Sequence, residues 1–371
     1  MIAPANSHQH HEGFSLVELM VAMTIGLIIL AAVGTLFVNS GKTYNNQDRL
    51  ARVQENGRFA MYYLLRDLRM TSYYGCQKDF ANHLSNDLNT NTGFFFSSTS
   101  LTTPLEGIDN VASNPKWSPS GDTTSLPTKL WKDATASIAQ PDILAIRMID
   151  SASTANVTDN PIASLPANPT IDKAANNFQK GDIVLIADCA RADLFQISDA
   201  PISVTTTSSK LPHSNACAAG VTPCNWTPEF SKAYDTAARV FKFSTRRYFI
   251  GINPNGTPSL YRDDNGLNAI ELVEGIESLQ ILYGIANPPN KAPSIYRKAN
   301  ALSLGAADPT ADWANVVSVK IGILARTTNT KDTDIDNNTY DVNGTILGPF
   351  NDRNSRRVFS ATVSLKNMTL P

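Results

Sequence analysis

Residues 13–38 read GFSLVELMVAMTIGLIILAAVGTLFV, and the fold turns on them. The stretch carries one charge, Glu18, and nothing ionisable from Leu19 to Val38. A helix over that run rises about 30 Å, the hydrocarbon thickness of a bilayer. A soluble helix needs a polar face, and only Thr24 and Thr35 interrupt this one. A cleaved secretory signal would begin with basic residues and end at a small-residue site. The preceding MIAPANSHQHHEG has no Lys or Arg, and no such site follows Val38. The segment is expected to span a membrane and stay there. Glu18 at its edge is costly unless paired, which makes it a functional candidate.

Working outward, apolar residues recur at Leu50, Val53, Gly57, Ala60/Met61, Leu64 and Leu68, at helical intervals of three and four. Charged residues fill the remaining positions, and Gly75 is a plausible stop. One helix from Phe14 to Tyr74 is expected, its residues 39–75 forming an amphipathic half. Ala22 and Gly26 make a small-xxx-small pair that permits close helix approach. Residues 85–128 are dominated by Ser, Thr, Asn, Pro and Gly and read as a long irregular insertion, with a short strand around Phe94–Phe96. Short β-patterned runs follow at Asp142–Ile149, Asp182–Ala187, Leu194–Ser198, Ile202–Thr206, Val240–Ile252, Ile270–Leu272 and Ser278–Ile285. VVSVKIGIL (316–324) and VFSATVSLK (358–366) alternate strictly, predicting one buried and one wet face in antiparallel sheet. No strand–helix–strand rhythm appears. The class is α+β: a long N-terminal helix packed on antiparallel β-sheet with long irregular insertions.

The string G-F-S-L-V-E followed by an apolar helix resembles the type III signal of type IV prepilins and pseudopilins. That resemblance implies cleavage by a prepilin peptidase between Gly13 and Phe14, methylation of the new N-terminus, and Glu18 as fifth mature residue. It divides the chain into a leader (1–13), a transmembrane helix (14–38), the amphipathic half (39–75) and a periplasmic β-rich domain (76–371). The leader departs from the family in lacking Lys or Arg; His8, His10 and His11 are read as discarded with it rather than as a metal tract. Thr35 stands where many major pilins carry a proline, which suits a minor component. RRYFIGIN (246–253), SLYRDD (259–264), LVEGIESLQILYGI (272–285), WANVVSVKIGILAR (313–326) and RRVFSATVSLKNMTL (356–370) are similar to the PilW-type minor pilins. Asp188-Cys189 and Leu194-Phe195-Gln196 share that likeness. Residues 85–135 match nothing recognisable.

Catalytic signatures are missing. With the leader gone, only His83 and His213 remain, both in polar sequence and read as solvated. No nucleophile elbow, zincin, phosphate-loop or dinucleotide motif is present. Asp332, Asp334, Asp336 and Asn338 resemble the start of a Ca²⁺ loop but lack its glycine and distal Glu, so a solvated acidic turn is preferred. Arg246, Arg247, Arg353, Arg356 and Arg357 are read as a wet face. With 31 basic and 33 acidic residues, net −2, strong nucleic-acid binding is disfavoured. No cofactor or metal is expected.

The implied topology puts the β-rich part outside the cytoplasm, where disulfides persist. Cys217 and Cys224 bracket a short Gly/Pro loop and are expected to pair; Cys76 and Cys189 are then left to pair across the domain. Zinc held by Cys217, Cys224 and His213 is the alternative.

The resulting expectation is a non-enzymatic minor pilin that initiates or caps type IV pilus assembly, with roles in adhesion and twitching motility. It would be single-pass in the bacterial inner membrane until built into the pilus. Implied partners are prepilin peptidase, other minor pilins, the major pilin, the assembly platform and a tip adhesin. The alternatives are a minor pseudopilin of type II secretion, a membrane-anchored periplasmic hydrolase or binding protein, and a DNA-capture protein. Glu18 would serve as a docking register, its cost offset by a cationic N-terminal amine on this chain or a neighbour.

Overall fold

The computed structural model describes residues 15–76, 83–88, 104–109, 139–158, 168–172, 177–215, 224–265, 268–303, 306–308, 312–328 and 335–367. The chain divides into two compact units, Met1–Ala51 and Arg52–Pro371, and the division falls within a single helix, α1 (Leu16–Met70). One long apolar N-terminal helix is thus followed by a mostly β-sheet domain. The helix stops four residues short of Tyr74. Thr71 and Tyr73 donate to Leu68 and Met70 in tightened turns, and Ser72 takes a left-handed φ of 60° that no helix interior accepts.

Seventeen strands follow among the described residues. The first eight are β1 (Leu84–Asn86), β2 (Leu105–Ile108), β3 (Ile143–Asn156), β4 (Thr170–Asp172), β5 (Ile183–Ala187), β6 (Ala192–Gln196), β7 (Ile202–Ser203) and β8 (Ser208–Lys210). Then come β9 (Arg239–Ile252), β10 (Pro258–Asp264), β11 (Asn268–Glu274), β12 (Ile276–Ala286) and β13 (Pro293–Arg297). The last are β14 (Val316–Arg326), β15 (Tyr340–Val342), β16 (Thr345–Leu347) and β17 (Arg356–Ser364). An eight-stranded sheet runs β1-β6-β5-β9-β10-β11, with β3 joined to β9 and β2 to β3. A four-stranded sheet runs β13-β12-β14-β17. Small sheets β4-β8-β7 and β15-β16 complete the set. Among the described residues every ladder is antiparallel except β1 on β6.

Within the second unit, α1 buries Val53, Gly57, Ala60, Met61, Leu64 and Leu68, a spacing that puts them on one face. The side chains of Val53, Ala60, Met61, Leu64 and Leu68 join Ile281, Ile321, Ile323 and Val363 in the largest core cluster. Full burial of a large apolar side chain stabilises by about 1.5–3 kcal/mol, so this face is a principal anchor of the helix. Gly57 is required by proximity: a Cβ there would fall inside the Phe359 ring of β17.

The alternating runs divide. In β17, Ser360, Thr362 and Ser364 are exposed while Val363 is buried. In β14 the expected wet face is missing, because Ser318 and Gly322 are buried too. The β15–β16 hairpin covers Gly322, with Val342 and Asn343 lying where a Cβ would go, and Ser318 donates to the Tyr296 hydroxyl of β13 at 3.2 Å. The supposed insertion also contains a buried strand, β2; Phe94–Phe96 lie outside the described residues.

Candidate functional site

The head of α1 is built by its own sequence. The Ser15 backbone N–H donates to Glu18 Oε2 at 3.1 Å, and the Glu18 N–H donates to Ser15 Oγ at 3.1 Å. This is a reciprocal capping box, Ser at the cap and Glu three residues on, satisfying two otherwise orphan donors. The carboxylate therefore accepts a hydrogen bond inside its own helix turn, a local partner beside the terminal amine expected from the sequence. Ser15 went unremarked in the sequence, although its S-x-x-E spacing is the signal for such a box. Gly13 and Phe14 lie outside the described residues.

Below this cap the helix is apolar on all sides. None of its most apolar stretch is buried in the protein. The two hydroxyls bond within the helix, Thr24 Oγ1 to the Val21 carbonyl and Thr35 Oγ1 to the Ala32 carbonyl, both at 2.8 Å. No side chain from Leu19 to Val38 then asks for water, which is what a lipid-facing helix requires.

Cys76, six residues beyond α1, is bonded to Cys189 in the turn between β5 and β6, closing 113 residues of sequence with Cα atoms 5.0 Å apart. Cys224 is buried and also disulfide-bonded. Cys217 lies outside the described residues, so the Cys217–Cys224 bridge stays a proposal.

The other candidates change character. His213 is not solvated: it is 1% exposed, stacked on Phe230 at 4.6 Å and against Phe195 at 4.7 Å. His83 is exposed at the start of β1. The arginines expected on a wet face are mostly inside. Arg247 pairs with buried Asp263, and Arg246 with Asp67, whose carboxylate also accepts from Tyr248. Arg356 is enclosed by Glu277, Asp336 and Asp352 and lies 3.7 Å from the Phe350 ring centre. Only Arg353 and Arg357 are exposed. Asp332 and Asp334 lie outside the described residues, and Asp336 is committed to Arg356, Tyr340 and Asn338. Among the described residues no group of three His, Cys, Asp or Glu is placed to hold a metal ion. Asp87 and Asp193 are both buried; burial, then the Asp193 charge, pushes the Asp87 carboxyl up to about 8.

Two family models match this chain. The prokaryotic N-terminal methylation motif covers residues 9–34, and Type IV Pilus-assembly protein W covers residues 247–367. Over those residues the chain is similar to a PilW-like type IV pilin. The second match begins within β9 and takes in the four-stranded sheet, so the PilW-like part includes the strands on which α1 is anchored. No curated protein and no solved structure matches the chain.

Proposed function

We propose that this protein is a minor pilin that helps initiate or cap a type IV pilus, a structural subunit rather than an enzyme. The observation that carries the reading is the capped, fully exposed apolar helix within a methylation motif, on the same chain as a PilW-like sheet. In this reading the helix waits in the inner membrane as a single span, with the β-domain in the periplasm. Prepilin peptidase removes residues 1–13 and methylates Phe14, and the assembly platform then moves the helix into the filament. There the apolar surface that faced lipid faces other helices, those of further minor pilins and the major pilin. The Cys76–Cys189 bridge, and Cys217–Cys224 with it, suit an oxidising compartment. A tip adhesin is the implied distal partner.

Intact mass and co-purification test this together. The protein taken from membranes of its native host should begin at Phe14, carry one added methyl group, and bring down other pilins after crosslinking. A chain cut instead after residue 35 or beyond would sink the pilin reading. Recovery of secretion-system components without pilins would move the protein to a secretion pseudopilus.

A further inference from the structure

The geometry points to a strand-addition site on the outer edge of β17, which accepts an extended, acid-flanked segment of another polypeptide. Among the described residues β17 pairs with β14 alone and ends its sheet. The Leu365 N–H donates to the Val317 carbonyl at 2.8 Å and the Thr327 N–H to the Ser355 carbonyl at 3.0 Å. Antiparallel bonding alternates, so odd-numbered residues of β17 turn their backbone groups toward β14. Val358, Ser360, Thr362 and Ser364 turn theirs outward. That row is continuous, since the β14–β17 register has no bulge. The opposite edge, β13, is protected: it opens with Pro293, and its pairing with β12 shifts register between Ile285 and Ala286.

The edge itself selects the occupant. Arg357 at one end and Lys366 just past the other are both exposed. Backbone parity sets even-numbered residues opposite even-numbered ones, so antiparallel self-pairing centred on Ala361 or Thr362 brings Arg357 of one copy to the position next to Lys366 of the other. Like charge then gathers at both ends of the paired edges, which disfavours a second copy. A strand with Asp or Glu at both ends meets opposite charge instead. One of its faces continues the Phe359–Ala361–Val363 row with apolar side chains, and the other lies beside Ser360, Thr362 and Ser364 with small polar ones. This recognition belongs to the β-domain alone and does not rest on the pilus assignment.

The test uses the full chain in detergent micelles and an acetylated probe peptide, Glu-Asp-Val-Thr-Val-Thr-Val-Asp-Glu, with a Lys-ended version as control. Amide exchange at residues 358, 360, 362 and 364 should slow by roughly tenfold or more with the acidic peptide and stay unchanged with the Lys-ended one. Thr362→Pro removes an N–H outside the β14 ladder, a position where an edge strand tolerates proline. It should abolish peptide protection while the inward amides at 359, 361 and 363 stay protected. Should that variant unfold, the double reversal Arg357→Glu with Lys366→Glu decides, and it should switch preference to the Lys-ended peptide. Outward amides already as protected as inward ones without peptide would overturn the proposal. So would equal binding of both peptides, or protection that rises with protein concentration alone.

Discussion

At the scale of single residues, Glu18 carries two separable roles, a cap and a charge. Ser15→Ala removes the Oγ acceptor and costs about 1 kcal/mol of helix stability, but leaves the carboxylate in place. Glu18→Gln keeps a capping acceptor, because Gln serves at that position, and removes only the charge. Glu18→Ala removes both. If the charge sets register in the filament, Gln and Ala should each cut sheared surface pili by roughly tenfold while Ser15→Ala stays near wild type, since an unpaired charge in a helix bundle is what mismatched neighbours leave behind. Normal piliation by Glu18→Gln with loss in Ser15→Ala would assign the residue to the cap instead. The G-F-x-x-x-E motif and its apolar helix were legible in sequence, whereas the cap was not read although its S-x-x-E spacing is a local signal. His213 was not legible. Its neighbours Pro212, Ser214 and Asn215 are those of a loop, and its burial comes from Phe195 and Phe230, which the fold alone brings to it.

Among the elements, those with a long period were readable and the short ones were not. α1, β9, β12, β14 and β17 each run nine residues or more and fall on predicted segments. The three-residue strands β1, β4, β8, β15 and β16 offer too little sequence for any period. β2 escaped for another reason: it reads Leu-Glu-Gly-Ile, and its central Glu106 is buried only because Arg147 of β3 meets it at 2.9 Å. The wet face expected of β14 fails likewise, through a hairpin distant in sequence. α1 approaches β17 closely where Gly57 lies against the Phe359 ring. Gly57→Ala gains about 1 kcal/mol of helix propensity, while forcing the ring aside costs about 1–3 kcal/mol. Thermal unfolding in micelles should therefore show Gly57→Ala destabilised in the wild-type background and stabilised in Phe359→Ala, a change of sign across the cycle. Stabilisation in both backgrounds would mean that the ring yields freely.

For the molecule as a whole, long-range ties carry what local pattern cannot. Cys76–Cys189 closes 113 residues, a loop for which chain entropy predicts up to about 4–5 kcal/mol. Arg356 makes a second tie, joining β17 to Glu277 of β12 and to Asp336 and Asp352, whose segments meet in an isolated bridge. Burial alone would push the Asp352 carboxyl up, but the Arg356 guanidinium and the Asn354 amides overcome it and hold the group down at about 2. Asp336 is lowered the same way, burial again opposing and Tyr340, Arg356 and Asn338 prevailing. A carboxyl lowered on folding contributes stability above its ordinary value near ~4 and loses it as pH falls through the folded value. The wild-type network should thus be at full strength at pH 7, unchanged at pH 5, and weaken only as pH drops toward 2. Arg356→Met reverses this. Three carboxylates are left around an apolar side chain, and breaking a buried pair in this way costs about 3–5 kcal/mol at pH 7. Asn354, Tyr340 and Asn338 still bond the two aspartates, and Arg326 still pairs with Glu277. Burial and the mutual repulsion of the carboxylates should outweigh these contacts, so both aspartates rise and protonation relieves the repulsion. The variant should accordingly gain stability as pH falls from 7 to 5, where the wild type shows no gain from these groups. Urea unfolding of the full chain in micelles at the two pH values measures the difference, and parallel behaviour of the two proteins would show that Arg356 does not neutralise this cluster.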